Sequence, residues 1–205
     1  LVNVETTTGI NEFPINYSPI EYRFFGIRSN VSGVAYNISK ALTTLGDEVS
    51  LCSMTGKDYP AEHIIREIKS LGISGKNVLP QLKETPVSVV LYDQDGRRKI
   101  YCDLKDIQET AYPMEDAEKA IQSADLVVAC NCNFNRPLLK MAKDMGKTIA
   151  TDVHVLSDLN DDYNRDFMQY ADILFLSDEN IQGEPSDFIK DIADKYHNEI
   201  IVLGR

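Results

Sequence analysis

Residues 33–54 read GVAYNISKALTTLGDEVSLCSM, and the order of features within them decides the fold class. Val34, Ile38, Leu42 and Leu45 recur at the spacing of one helical face, and Gly46 stands where a helix stops in a left-handed residue. VSLCSM (Val49–Met54) follows as a short apolar strand. AEHIIREIKSLG repeats the helical pattern through Ile64, Ile65, Ile68 and Leu71 and closes at Gly72.

Working outward, the same alternation returns in the second half. MEDAEKAIQSA is helical, DLVVAC a strand, RPLLKMAKDMG a helix ending at Gly146, and KTIATD a strand. DILFLS, SDFIKDIADKYH and EIIVLG continue as strand, helix and strand. Continuous apolar strands alternating with amphipathic helices predict an α/β fold with a mostly parallel sheet sandwiched by helices. Two segments break the rhythm. In residues 84–104, ETPVSVVLYDQDGRRKIYCDL, two β-rich runs flank Asp95-Gly96, which predicts an antiparallel hairpin. Residues 11–31, rich in aromatics and proline, have no helical period and suit extended edge strands or loops. Together they predict a small antiparallel sheet standing off the main domain, a lid or a dimerisation surface, with Tyr17, Tyr22, Phe24 and Phe25 as its own packing surface.

Composition narrows the partners. With 21 basic against 32 acidic residues the net charge is −11. That argues against nucleic acid, which requires clustered Lys and Arg, and against an anionic membrane surface. No apolar run approaches the ~20 residues that span a bilayer. Cys52, Cys102, Cys130 and Cys132 lie in apolar stretches without a second pair or a nearby His, so they are expected as buried free thiols of a reducing cytoplasm, neither metal-bound nor paired. The irregular run Asp158, Asp161, Asp162, Asp166 lacks calcium-loop spacing and is expected as a solvated surface, so no metal site is assigned.

The usual nucleotide motifs are missing. None of the 11 glycines forms G-x-G-x-x-G, which disfavours a dinucleotide-dependent oxidoreductase. Gly72, Gly75 and Lys76 have the wrong spacing for a P-loop and Asn77 supplies no hydroxyl, so Ser74–Asn77 is expected as a polar turn.

A different set of features is informative. Ser32-Gly33-Val34-Ala35-Tyr36-Asn37 opening a helix, and Leu45-Gly46-Asp47-Glu48-Val49 closing it into a strand, resembles the N-terminal signature of PfkB-type (ribokinase-like) carbohydrate kinases. Gly56-Lys57-Asp58 resembles that family's G-x-D before the next helix, TPVSVVLYDQDGRRKI its lid hairpin, and Asp152 its strand-end Asp. Val2 and Val4 alternate with Asn3 and Glu5, which puts the two polar residues on one strand face and resembles the family's N-x-D, with Glu in place of Asp. The resemblance runs over essentially all 205 residues in order and spacing.

It implies an ATP- and Mg2+-dependent kinase for a hydroxyl of a sugar or nucleoside. Asn3, Glu5, Gly33, Asn37, Asn133 and Asp152 are its substrate-binding residues, and Ser177, Glu179 and Asn180 lie near nucleotide and magnesium. At Gly33 a missing side chain lets backbone approach a polar ligand, and Asn37 offers donors and acceptors to hydroxyls. Each role has a structural counterpart: Asn37 serving the helix start, Glu5 exposed on a loop, Asp152 capping the turn that follows. The segment Ser177-Asp178-Glu179-Asn180 departs from the family's N-x-x-E at both ends, which sustains an alternative: a non-catalytic ligand-binding or regulatory protein on the same fold.

No catalytic residue is assigned within the chain. The family's Gly-Ala-Gly-Asp turn, whose Asp is the base, would follow Leu203-Gly204-Arg205, so the expectation is one incomplete domain, inactive as it stands. The parent would be longer by about a third to a half. The lid is expected from about residue 6 to 31 and 84 to 108, and its exposed edges suggest a homodimer.

Overall fold

The computed structural model describes all 205 residues, which divide into two compact units, Leu1–Thr110 and Ala111–Arg205.

The first unit contains β1 (Asn3–Gly9), β2 (Ile27–Ser32), α1 (Val34–Leu45), β3 (Ser53–Met54), α2 (Tyr59–Ser70), β4 (Val78–Leu79), β5 (Val87–Tyr92) and β6 (Arg98–Asp103). Four strands form one sheet in the order β2-β1-β5-β6. The outer pairs are antiparallel as expected, but the central pair is parallel, with Val4 opposite Val87 and Gly9 opposite Tyr92. The segments expected as a lid therefore form a mixed sheet, and β1 carries residues 6–9 straight into it. The strand expected over Val49–Met54 shrinks to Ser53–Met54, paired with β4, a two-residue strand too short to leave a periodic signal.

Beneath the sheet, Val2, Val31, Tyr36, Leu51, Ile64, Ile68, Ile73 and Val78 form one buried cluster. The stripe predicted for α2 supplies Ile64 and Ile68, each fully buried, at about 1.5–3 kcal/mol per side chain relative to exposure. The Tyr36 hydroxyl donates to Glu67 at 3.1 Å; burial, that bond and the carboxylate's charge push its pKa up to about 12.

Two carboxylates organise the turns. Asp93, in the hairpin, accepts from the backbone N–H of Asp95 and Arg97 at 3.1 and 2.9 Å and pairs with the Arg97 guanidinium. Asp58 caps α2 by accepting from Ala61 N–H at 3.1 Å, and also accepts from the Thr85 N–H and hydroxyl at 2.8 and 2.6 Å. Thr85 in turn accepts from Gly56 N–H at 2.9 Å. A Cβ on Gly56 would meet the Glu84–Thr85 backbone at 2.9 Å, so only glycine permits this approach. The Gly56-Lys57-Asp58 motif thus anchors the strand entering the hairpin to the start of α2.

In the second unit, α3 (Met114–Ser123), β7 (Leu126–Val128), α4 (Arg136–Asp144), β8 (Thr148–Val155), α5 (Arg165–Tyr170), β9 (Ile173–Ser177), α6 (Pro185–Tyr196) and β10 (Ile200–Gly204) follow in order. Its sheet is entirely parallel, β10-β9-β8-β7, with helices in the connections. Ile149, Leu174, Phe167, Met168 and Ile192 are completely buried. Phe167 and Met168 belong to α5, which the sequence reading missed because its six residues are too few to show a period. The acidic run before it is not all solvated surface. Asp161 accepts from Asn164 N–H at 2.7 Å, and Asp166 pairs with Arg136.

Two further expectations are corrected. Tyr17, Tyr22, Phe24 and Phe25 do not form a packed surface: they are 93%, 77%, 84% and 97% exposed, although Tyr22 and Phe24 stack on each other with ring centroids 6.2 Å apart. Nothing in the first unit covers the segment, because the core lies under α1 and α2. Among the cysteines, Cys130 and Cys132 are buried, but Cys52 is half-buried and Cys102 is exposed, since β6 is an edge strand with every residue exposed. No helix is long and apolar enough to cross a membrane.

Burial pushes the Asp58 carboxyl up, but the hydrogen bonds from Thr85 and Ala61 together outweigh it and hold the group below the usual carboxylate range. Its stabilisation is therefore complete above the unfolded value of about 3.9 and lost as pH falls through the lower folded value. Asp58→Ala is expected to lower stability by about 2 kcal/mol near neutrality. Denaturant titrations of both proteins should show that difference narrowing below about pH 4; a difference independent of pH would contradict the assignment.

Candidate functional site

The first unit brings Asn3 and Glu5 to one face of β1, as the alternation predicted. Asn3 pairs across β2 with Ser32, and Glu5 lies opposite Ser88 of β5. The Asn3 Nδ2 group donates to Ser88 Oγ at 2.9 Å, and Ser88 Oγ donates to Glu5 Oε2 at a long 3.5 Å. Asn3 and Ser88 are 7% and 4% exposed, while Glu5 is half-buried. The Asn3 Oδ1 atom is covered and has no hydrogen-bond partner. An unmet buried acceptor costs about 1–3 kcal/mol and calls for an explanation. Ser88 escaped the sequence reading. The alternation in VSVVLY gives its face, but only the β1–β5 pairing reveals its neighbours.

Gly33 is the N-cap of α1, with φ 108°, and no side chain caps the helix start. A Cβ there would lie 2.5 Å from the Leu1 carbonyl oxygen and 3.2 Å from Val2 Cα. The space left by its missing side chain is taken by the chain's own backbone, which lets α1 start directly against β1. Asn37 lies one turn in, its N–H bonded to the Gly33 carbonyl at 2.9 Å and its side chain exposed. Its carboxamide does not cap the helix, so the structural counterpart considered for it is not what the geometry shows.

In the second unit, Asp152 lies on β8 just before an irregularity in the pairing with β9. Its Oδ1 accepts from His154 N–H at 2.7 Å, and His154 takes φ 57°. The carboxylate therefore shapes the strand end while remaining half-buried. Asn133 opens a short 3-10 turn, and its Oδ1 accepts from Arg136 Nε at 3.1 Å. Arg136 also bonds Asp166 and stacks over Tyr163 and Phe167 at 4.8 and 4.9 Å. Asn131, absent from the sequence reading, donates to Asn164 at 3.0 Å and accepts from the Tyr163 hydroxyl at 2.7 Å. Burial pushes the Cys130 thiol up, which leaves it a poor nucleophile. Ser177 ends β9 and accepts from Glu179 N–H at 3.3 Å, with Glu179 and Asn180 exposed in the turn beyond. No three His, Cys, Asp or Glu side chains cluster as a metal cage.

The family model described as pfkB family carbohydrate kinase matches residues 15–202. No curated protein matches the sequence. Among solved structures, a microbiome-derived acarbose kinase, Mak1, is similar at TM-score 0.84 and 20% identity, over 100% of this chain and 67% of that one. The Arabidopsis thaliana ribokinase complexed with ribose and ATP is similar at TM-score 0.73 and 15% identity, over 98% and 67%. A Burkholderia thailandensis nucleoside kinase in complex with inosine is similar at TM-score 0.69 and 14% identity, also over 98% and 67%. The chain thus spans about two thirds of the length of each, and it shares their ribokinase-like α/β fold.

Gly33→Ala places a methyl group against the Leu1 carbonyl and in a left-handed backbone region. It is expected to cost about 3 kcal/mol or more. Thermal melts should show the loss; a melting temperature within a degree or two of wild type would mean that the helix start yields more readily than its geometry implies.

Proposed function

This chain belongs to the pfkB family of carbohydrate kinases, and from that membership we propose that the protein transfers the terminal phosphoryl group of ATP, with Mg2+, to a hydroxyl of a sugar or nucleoside. The observation that carries the reading is the Asn3–Ser88–Glu5 cluster, a buried polar group of the first unit with an acceptor left without a partner. Asn3, Glu5 and Asn37 bind hydroxyls of the acceptor substrate, and Gly33 keeps the start of α1 against the strand that carries Asn3. In the second unit, Asn133 and Asp152 serve the substrate, and Ser177, Glu179 and Asn180 serve the nucleotide side. No residue among the 205 is assigned as the catalytic base.

Phosphoryl transfer depends on positioning and charge stabilisation more than on covalent participation by the protein. Mg2+ is commonly held by one or two carboxylates together with substrate phosphates. The exposed Glu179 and the lack of a ligand cage fit a metal carried mainly by the nucleotide. Bound there, it would offset charge on the phosphates. ATP as donor draws support from the similar ribokinase complexed with ribose and ATP, and the two substrate classes from the ribose and inosine complexes. The cysteines, none of them in a disulfide, suit a cytoplasmic protein. The changed Ser177–Asn180 turn favours a second reading, a ligand-binding or regulatory protein without transfer activity.

Two copies pair through the lid sheet. Its edges, β2 and β6, are exposed, and Tyr17, Tyr22, Phe24 and Phe25 present uncovered aromatic surface. Light scattering should give twice the monomer mass for the wild type and the monomer mass for Phe25→Asp; a monomeric wild type at micromolar concentration removes the dimer.

A turnover screen of the intact protein with ATP, Mg2+ and a panel of pentoses, hexoses and nucleosides tests the activity. One substrate should turn over, with kcat/KM reduced about tenfold or more in Asn37→Ala. Binding of a panel member without turnover would give the second reading the lead.

A further inference from the structure

An open groove of about 730 Å³ runs along α2, entirely within the first unit. None of the residues assigned above to substrate or nucleotide lines it. Ile65, Val78 and Pro80 give it an apolar lining, and three cations face it, Lys57, Arg66 and Lys69. All three cations are exposed, and none makes an ion pair or a side-chain hydrogen bond. They outnumber the acidic residues of the groove, Asp58 and Glu62, in a chain whose net charge is −11. The Asp58 oxygens are already committed to Ala61 and Thr85. Those bonds also fix one end of the groove in advance, which lowers the ordering cost of filling it.

Arg66 and Lys69 stand three positions apart on α2, which makes them surface neighbours about 5–6 Å apart at Cβ. A guanidinium beside an ammonium suits the two charges of a phosphate monoester better than the single charge of a carboxylate. Two full charges outweigh the roughly half negative charge at the C-terminal end of a helix. Lys57 lies at the other end of α2, next in sequence to the Asp58 carboxylate, so the anion seats at Arg66 and Lys69. Ile65, with Val78 and Pro80, sets an apolar surface beside that charge, which a bare phosphate would leave unused. The volume falls in the range of about 300–1,000 Å³ typical of small-molecule sites, which favours a metabolite over a partner protein. We infer that this groove binds a small organic phosphate, its phosphoryl group held by Arg66 and Lys69 and its apolar or aromatic body laid on Ile65, Val78 and Pro80. The site stands independently of the kinase reading.

Calorimetric titration of the intact protein with phenyl phosphate, inorganic phosphate and phenol separates the two halves of the ligand. Phenyl phosphate should bind about tenfold or more tightly than either fragment, because only it fills both parts of the groove. Arg66→Ala combined with Lys69→Ala should weaken phenyl phosphate about tenfold or more. Lys119→Ala, which removes an exposed lysine of α3 in the second unit, should leave the affinity unchanged. Ile65→Ser should erase the advantage of phenyl phosphate over inorganic phosphate. Melting curves check the variants; Arg66 and Lys69 are exposed, so the double variant should melt with the wild type. Binding that the double variant leaves intact lies elsewhere and overturns the site. Inorganic phosphate binding as tightly as phenyl phosphate overturns the apolar half and with it the ligand class. No binding of phenyl phosphate at millimolar concentration overturns the proposal outright. A blank turnover screen alongside positive titrations removes the kinase reading alone.

Discussion

The parallel pairing of β1 with β5 is the contact on which the first unit depends. It joins residues about 83 positions apart in sequence, Glu5 to Ser88 and Val4 to Val87, and such pairing bears the entropy of closing everything between them. β2 and β6 then add as antiparallel edges, one on each side. The Asp58–Thr85–Gly56 bonds hold the chain immediately before β5 against the start of α2. The register of that pairing and the packing beneath the sheet thus reinforce each other. The same register sets Ser88 between Asn3 and Glu5, so the candidate site is a product of sheet topology and not of any local motif.

That distinction separates what was legible in the sequence from what was not. The helices were legible because their stripes and terminal glycines are local signals: Gly46 and Gly146 adopt positive φ where the patterns placed a stop. The hairpin was legible from Asp95-Gly96, and the parallel sheet of the second unit from its unbroken apolar strands. Which strand β1 would choose as a partner was not, because Val4 and Val87 pair by position in the folded chain and carry no mark of it in their neighbours. Strands of two residues and a helix of six fall below the length at which periodicity has meaning.

The candidate residues divide along the same line. Asn3 and Glu5 shared a face on strand geometry alone, and they do so in the structure. Gly33 was singled out as a helix-start glycine where backbone could approach a polar ligand; in the structure the backbone lying against it is the carbonyl of Leu1. The aromatic segment was expected to supply a packing surface of the lid's own; a four-stranded sheet with its core under two helices leaves those side chains exposed. Asp93, 6% exposed at the hairpin turn, was not singled out in the sequence, yet its carboxylate organises the whole turn.

Edge placement of β6 has a practical consequence. Cys102 is the one exposed thiol, whereas Cys130 and Cys132 are buried and Cys52 is half-buried. A sub-stoichiometric maleimide dye should attach to the hairpin strand first, in the native protein and without mutagenesis. The attached fluorophore would sit in the same sheet as Ser88 and Glu5, and its polarisation and emission would report what approaches that sheet in real time.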